Sequence, residues 1–381
     1  MKILFLTATY YPSTNGVAVS VKTTMDVLIR KGHEVTVLAP DNNESKGKSE
    51  NVIRYSSLQN PLNKDYPIPI LPLNPKIVDL LLNKKYDIVH AHHPFHIAWF
   101  AEKFAKACNA SFVFTYHTKY EDYADIYLKF LPKKYRESII KLGTDTVCKN
   151  VDLIIAPSKS LKTKLEKQYP LANVEAIPTG VSFPETFSND NDRDYLKRTL
   201  QLKNNSIILL SLSRLAEEKN IELAMNSLVR LPSIYHLVIV GSGPYENELK
   251  KLTKKLNVTK RVSFLGRVSH EEVPKILSSS DIFLFPSITE TQGLNLLEAM
   301  YFGLPVVAVR SDVSKEWVSD EVGILSDNNV KKFTSAIVKV TKSCGKEKSR
   351  LIRKRALPYS LDNTSEVLLA KYQEIIDKKG F

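Results

Sequence analysis

The chain has 381 residues, 43% of them hydrophobic and 25% charged, which is the balance of an ordered soluble protein and a length that implies two domains. Its formal charge of +13 asks for an anionic partner, yet no helix-turn-helix, RRM or zinc-finger pattern accompanies it, so no nucleic-acid partner is expected. No apolar run approaches eighteen residues, and Cys108, Cys148 and Cys344 form no CxxC pair, so a chain that spans no membrane and sits in the reducing cytoplasm is expected.

The N-terminal MKILFLTATYYP lacks a basic leader and cleavage site and reads as a first strand. Short apolar runs then alternate with amphipathic helical segments: KILFLTA (2–8), EVTVLAP (34–40), DIVHAHH (87–93), FVFTYH (112–117) and DLIIAPS (152–158). The scheme repeats with IILLSLSR (207–214), HLVIVGSG (236–243), VSFLGR (262–267), DIFLFPS (281–287) and LPVVAVR (304–310). Continuous apolar strands between helices predict parallel sheets covered on both faces. The expected fold class is therefore α/β, two doubly wound Rossmann-like domains facing a cleft. The expected boundaries are 1–180, a polar linker over 181–205, a second domain over 206–357, and a final segment, 358–381, whose apolar spacing reads as a helix.

In open α/β sheets ligands bind beyond the carboxyl ends of the strands. After the first strand, Asn15-Gly16 opens a helix, where a glycine lets backbone approach a phosphate; a plain turn explains it equally. In SLSRLAEEKN, Arg214 and Lys219 follow a strand end, where a fork and a point charge suit a diphosphate. GSGPYE (241–246) lacks the third glycine and acidic partner of a dinucleotide fingerprint and reads as a tight turn. His117 ends a strand, placed either to meet a substrate oxygen or to cap the core. His90, His92, His93 and His96 cluster, but no cysteine or carboxylate completes a ligand set, so no metal is expected. In ETQGLNLLEAM (290–300) a helix begins near Gly293, with Glu290 before it and Glu298 more than a turn beyond. The two carboxylates are either surface groups or the two ends of a grip on a sugar–diphosphate–ribose ligand.

Taken together, NG in the first loop, the H-x-H strand, His117, SRLAEEKN and E-x7-E followed by GLPVVA resemble the retaining GT-B glycosyltransferases of family 4 over essentially the whole chain. That resemblance implies that Glu290 binds donor-sugar hydroxyls, Glu298 the ribose, and Arg214 and Lys219 the diphosphate. It implies further that Gly16 lies near the phosphate, that His117 faces the reacting sugar and that Gly266, Arg267 and Val268 border the base. Thr291, Gln292, Gly293 and Leu294 complete the donor set. It also implies that the final segment crosses back to the N-terminal domain and that no cofactor is needed beyond the nucleotide-sugar donor. The chain departs from the family in having Ser213 before Arg-Leu, where glycine is common, and Gln292 where phenylalanine is common. ETQG, HHPF and TYHTKYEDY resemble the glycolipid-forming branch, which includes diacylglycerol glucosyltransferases.

A lipid acceptor gives the basic segments a role. Residues 128–150 place apolar positions 135, 139, 142 and 147 on one expected helical face, with Lys129, Lys133, Lys134, Arg136 and Lys141 nearby. Such a helix can lie on an anionic leaflet, each cation contributing about 1 kcal/mol, or pack on its own core. Residues 331–355 hold a second basic cluster whose role is open. The expected reaction is transfer of a hexose, with retention, from a nucleotide-sugar of the UDP-glucose type to a lipid hydroxyl at the inner membrane face. Transfer of mannose or another hexose to a phospholipid or polysaccharide precursor, nucleotide-sugar epimerisation, a nucleotide-sugar-binding regulatory protein and, on charge alone, an α/β nucleic-acid binder are the alternatives.

Overall fold

A computed structural model describes residues 1–13, 15–41, 50–60, 67–70, 73–118, 131–183, 194–269, 271–343 and 345–380. The chain divides into two compact units, residues 1–180 with 361–381, and residues 181–360.

In the first unit the strands are β1 (Lys2–Leu6), β2 (Glu34–Pro40), β3 (Val52–Tyr55), β6 (Ile88–Ala91), β7 (Ser111–Thr115), β8 (Leu153–Ala156) and β9 (Val174–Ala176), with β4 (Ser57–Leu58) and β5 (Ile68–Pro69) forming a small antiparallel ribbon. The main sheet is parallel throughout, in the order β3-β2-β1-β6-β7-β8-β9. Both faces of the central strands are buried, which explains why they read as unbroken apolar runs. Leu4, Leu6, Val89 and Phe112 line one core, and Ile3, Phe5, Val113 and Leu153 line the other. The C-terminal helix Leu361–Lys378 completes the second of these, inserting Leu368, Tyr372 and Ile375.

The second unit repeats the plan with β10 (Ile207–Leu212), β11 (Tyr235–Val240), β12 (Val262–Gly266), β13 (Ile282–Phe285), β14 (Val306–Val309) and β15 (Gly323–Ser326), again parallel, in the order β12-β11-β10-β13-β14-β15. In each sheet the order reverses beside the first strand, between β1 and β6 and between β10 and β13. These are the switch points at which doubly wound sheets open a crevice for ligands.

The expected linker needs correction at both ends. Val181 is buried and bridges Ser360, and a helix over Tyr195–Thr199 places Leu196, fully buried, in the core of the second unit. Residues 184–193 of that linker lie outside the described residues. The second unit thus runs over 181–360 rather than 206–357. Strands β3, β4, β5, β9 and β15 are additions to the sequence reading.

Candidate active site

At the switch point of the second unit, the loop after β10 and the loop after β13 are stapled together by backbone. Ile288 N–H donates to the Glu218 carbonyl at 3.2 Å, and the Asn220 side-chain amide donates to the Pro286 carbonyl at 3.1 Å. Asn220 takes a left-handed conformation (φ 52°), one that asparagine tolerates, and so turns the chain from the single turn Glu217–Lys219 into the helix Ile221–Val229. That turn aims Lys219 at the neighbouring loop, where its Nζ lies 2.6 Å from Glu290 Oε1. Both side chains are mostly buried, at 16% and 13% exposure, so the pair is screened far less than a surface ion pair. The two residues assigned from sequence to the diphosphate and to the sugar are thus brought together, each holding the other in place.

The helix Leu294–Tyr301 starts beside this pair. Gly293, at φ 80°, is its N-cap, and no side chain caps the first turn. A Cβ at Gly293 would stand 2.9 Å from Phe285 Cζ, so glycine is demanded by conformation and by space. The uncapped first turn leaves backbone N–H groups and the positive helix end facing the switch point. Asn295 ties this helix back to β10 by donating to the Leu212 carbonyl. Ser213, Lys219, Ser287, Glu290 and Asn295 line a small hollow there.

Glu298 lies on the same helix, one turn further in. Its carboxylate has no hydrogen-bond partner among the described residues, and burial pushes it up to about 7. Thr291 and Leu294 are half-buried and Gln292 is buried, at the junction between loop and helix. Arg214 is half-buried just beyond β10. GSGPYE proves more than a turn: Leu215 N–H donates to the Ser242 carbonyl, and Tyr245 N–H to the Leu215 carbonyl, both at 3.0 Å. This clamps the loop that carries Arg214, a tie between two loops that a GxG spacing does not reveal. Gly266 ends β12 at φ 67° and accepts from Gly241 N–H at 2.8 Å; Arg267 beyond it is exposed and Val268 half-buried.

In the first unit, Asn15 caps the helix Gly16–Arg30, accepting from Ala18 N–H at 2.9 Å while its amide donates to Thr9 Oγ1 at 2.8 Å. Nothing lies within 4 Å of where a Cβ of Gly16 would stand, so the space beside the helix start is open. His117 follows β7 and its Nε2 lies 2.9 Å from His92 Nδ1. Burial pushes His117 down to about 3, and burial with neighbouring imidazoles holds His90, His92 and His93 well below the usual histidine range. The histidine cluster is used internally. His90 bonds Tyr372 Oη at 2.6 Å and Thr115 Oγ1 at 2.7 Å, and Ala8 N–H donates to His93 Nδ1 at 3.0 Å.

Of the basic segment, Lys129 lies outside the described residues, and a helix covers Lys133–Cys148. Tyr135, Ile139 and Leu142 are exposed, at 63%, 46% and 73%. Val147 does not share their face: it is buried with Ile140 and Cys148, because five positions from Leu142 is about 140° around a helix. Lys133, Lys134 and Lys141 are exposed and Arg136 half-buried; Lys133 lies 3.7 Å from Glu137, and Lys141 donates to Asp145 at 2.9 Å. The ring of Phe95 lies on Gly143, and with Phe95 and Trp99 exposed at 38% and 43%, the apolar surface extends onto the next helix. Among the described residues no helix is long and apolar enough to cross a membrane.

Comparison with known proteins agrees with this anatomy. Residues 14–183 match Glycosyltransferase Family 4, and residues 192–356 match Glycosyl transferases group 1. The chain is 28% identical to an alpha-monoglucosyldiacylglycerol synthase of Streptococcus pneumoniae, over 84% of this chain and 74% of that one. It is 29% identical to the enzyme of the same name from Acholeplasma laidlawii, over 86% and 85%. Among solved structures, Anabaena HepE in complex with UDP superposes with a TM-score of 0.77 at 18% identity, covering 98% of this chain and 100% of that one. Sucrose-phosphate synthase of Thermosynechococcus elongatus superposes at 0.79 and 17% identity, covering 99% and 100%. With both halves matched in order and both sheets wound as that architecture requires, the chain belongs to the family 4 glycosyltransferases of GT-B fold.

Proposed function

We propose that the protein transfers a hexosyl group, glucose from UDP-glucose by preference, to a hydroxyl of a diacylglycerol-type lipid with retention of anomeric configuration. The observation that carries the donor site is the Lys219–Glu290 pair beside the uncapped helix start at Gly293. A donor entering there exchanges one ion pair for two sets of contacts. Its diphosphate takes Lys219, with Arg214 and the helix N–H groups, and its sugar hydroxyls donate to the released Glu290 carboxylate. Glu298, one turn on, accepts from the ribose hydroxyls.

As the glycosidic bond breaks, negative charge builds on the leaving diphosphate, and these cations and dipoles are already oriented toward it. The side chains carry that charge in this reading, so transfer is expected to persist in EDTA. Glu290 serves as a hydroxyl acceptor rather than a nucleophile. Same-face attack follows, with a phosphate oxygen of the leaving group taking the acceptor proton and His117 orienting the sugar. The names of the relatives support a diacylglycerol acceptor. The exposed stripe Tyr135, Ile139, Leu142 amid lysines supports docking on an anionic leaflet, as a peripheral protein of the cytoplasmic membrane face.

Labelled UDP- and GDP-hexoses supplied with diacylglycerol liposomes, with and without anionic lipid, test this reading. UDP-glucose with anionic liposomes is expected to give labelled glycolipid. Lys219→Ala and Glu290→Ala are each expected to lower kcat by about 10²–10³. Wild-type transfer by both variants would refute the donor site.

A further inference from the structure

His92 is absent from the reading above, yet the fold holds its backbone and its ring on several sides. The strand register pairs Phe5 with His90, and His92 N–H donates to the Leu6 carbonyl at 2.9 Å, which fixes the backbone just beyond the switch point. The His92 ring stacks on His90 on one side (4.2 Å, 26°) and on His117 on the other (5.2 Å, 26°), and meets Phe5 edge-on at 4.9 Å. His90 is itself held, with its two ring nitrogens bonded to Tyr372 and Thr115. His92 is 3% exposed, so it is too deep to touch a substrate. Its polar edge nevertheless reaches the one histidine assigned to the sugar, through the 2.9 Å contact between Nδ1 and His117 Nε2.

We infer that His92 is a positioning residue for glycosyl transfer, fixing the ring and the tautomer of His117 through this hydrogen bond. The inference rests on the assignment of His117 to the reacting sugar. Burial keeps both imidazoles neutral, so a single proton lies between them, and whichever nitrogen carries it decides where the second ring carries its own. The other end of His92 supports this coupling. Its Nε2 is buried without a partner among the described residues, and the ring lines a cavity of about 40 Å³ together with Ser20 and Thr179, whose hydroxyls lie 3.4 Å apart. That volume admits water, and a polar wall of this kind can satisfy Nε2 as donor or acceptor.

Three substitutions separate the bond from the packing. His92→Phe keeps a ring in the stack but has no nitrogen. His92→Asn places a carboxamide near the position of Nδ1, and His92→Gln places it near Nε2. With UDP-glucose and diacylglycerol liposomes, His92→Phe is expected to lower kcat about 10- to 100-fold, with UDP affinity by calorimetry within about twofold of wild type. His92→Asn is expected to recover most of that loss and His92→Gln little of it. A folded His92→Phe with wild-type kcat overturns the inference, as does a His92→Asn no better than His92→Gln. If His92→Phe fails to fold by circular dichroism, the Asn/Gln pair decides alone. His117→Ala marks the other failure: an impaired His117→Ala beside an intact His92→Phe overturns only the positioning role, whereas a fully active His117→Ala overturns the assignment of His117 and this inference with it.

Discussion

Replacing Gly293 by alanine offers a direct test of the donor-site geometry. The substitution forces a Cβ into a backbone held at φ 80°, which costs about 1–2 kcal/mol for a residue with a side chain. It also sets that Cβ 2.9 Å from Phe285 Cζ and 3.4 Å from Cε2, on a ring with almost no room to retreat because Phe285 is 2% exposed. Overpacking of this kind adds about 1–3 kcal/mol, so the sum expected from urea denaturation is about 2–5 kcal/mol. Two companion glycines separate the contributions. Gly266 has φ 67° but open space, so Gly266→Ala should show the conformational cost alone, about 1–2 kcal/mol. Gly16 has neither constraint, so Gly16→Ala should leave stability unchanged or raise it by about 0.4–1 kcal/mol. Its methyl group would enter the space that the family resemblance gives to the donor phosphate, and on that expectation the KM for UDP-glucose should rise. Stability of Gly293→Ala within 0.5 kcal/mol of wild type, with unchanged KM, would refute the account of this helix start.

Other consequences are open to simple measurements. Because the Glu298 carboxyl is raised to about 7, ionising it in the free protein costs stability: its contribution is complete below the unfolded value near 4.5 and is lost as pH rises through 7. Ribose hydroxyls that donate to the ionised form should make UDP binding release a proton between about pH 6 and 7; calorimetry in buffers of different ionisation enthalpy should detect it in wild type and not in Glu298→Gln. The buried histidines act in the opposite sense. Their folded values lie below the unfolded value near 6.5, so their contribution is complete above 6.5 and fades as pH falls below it; Tm should drop on acidification through that range, less steeply in His93→Gln. Leu142→Glu, at a position 73% exposed, should leave Tm within about a degree while weakening binding to anionic vesicles about tenfold. Unchanged vesicle binding would exclude this stripe as the membrane contact.

The parts visible in the sequence were those written in consecutive residues. Ten strands were readable, nine because burial on both faces makes each a continuous apolar run and the partly covered edge strand β12 because VSFLGR is still largely apolar, and the glycine opening a helix after DIFLFPS was plain. Strand β9 escaped notice because Val174–Ala176 is three residues long with one buried position, and β3 because VIRY at a sheet edge is only partly covered. The pairing of Lys219 with Glu290 was invisible for another reason: the residues are 71 positions apart, and only the adjacency of β10 and β13 brings them together. Gln292 stood out as a departure from a pattern, whereas His92 stood in a matching motif and its hydrogen bond to His117 needed coordinates.

The return of the last helix to the first unit makes the second unit an insertion within the first. Its two ends meet, with Val181 N–H donating to the Tyr359 carbonyl at 3.0 Å and Val181 bridging Ser360. On a ribosome the inserted half can complete its core while the outer half still waits for Leu368, Tyr372 and Ile375, which emerge after it. Tyr372 is also the hydroxyl that holds His90, so a chain terminated near residue 357 would lose one anchor of the histidine stack along with part of a core. The order of synthesis thereby keeps the histidine stack unfinished until that helix has been made, whereas a fragment over 181–360 should fold alone and bind UDP.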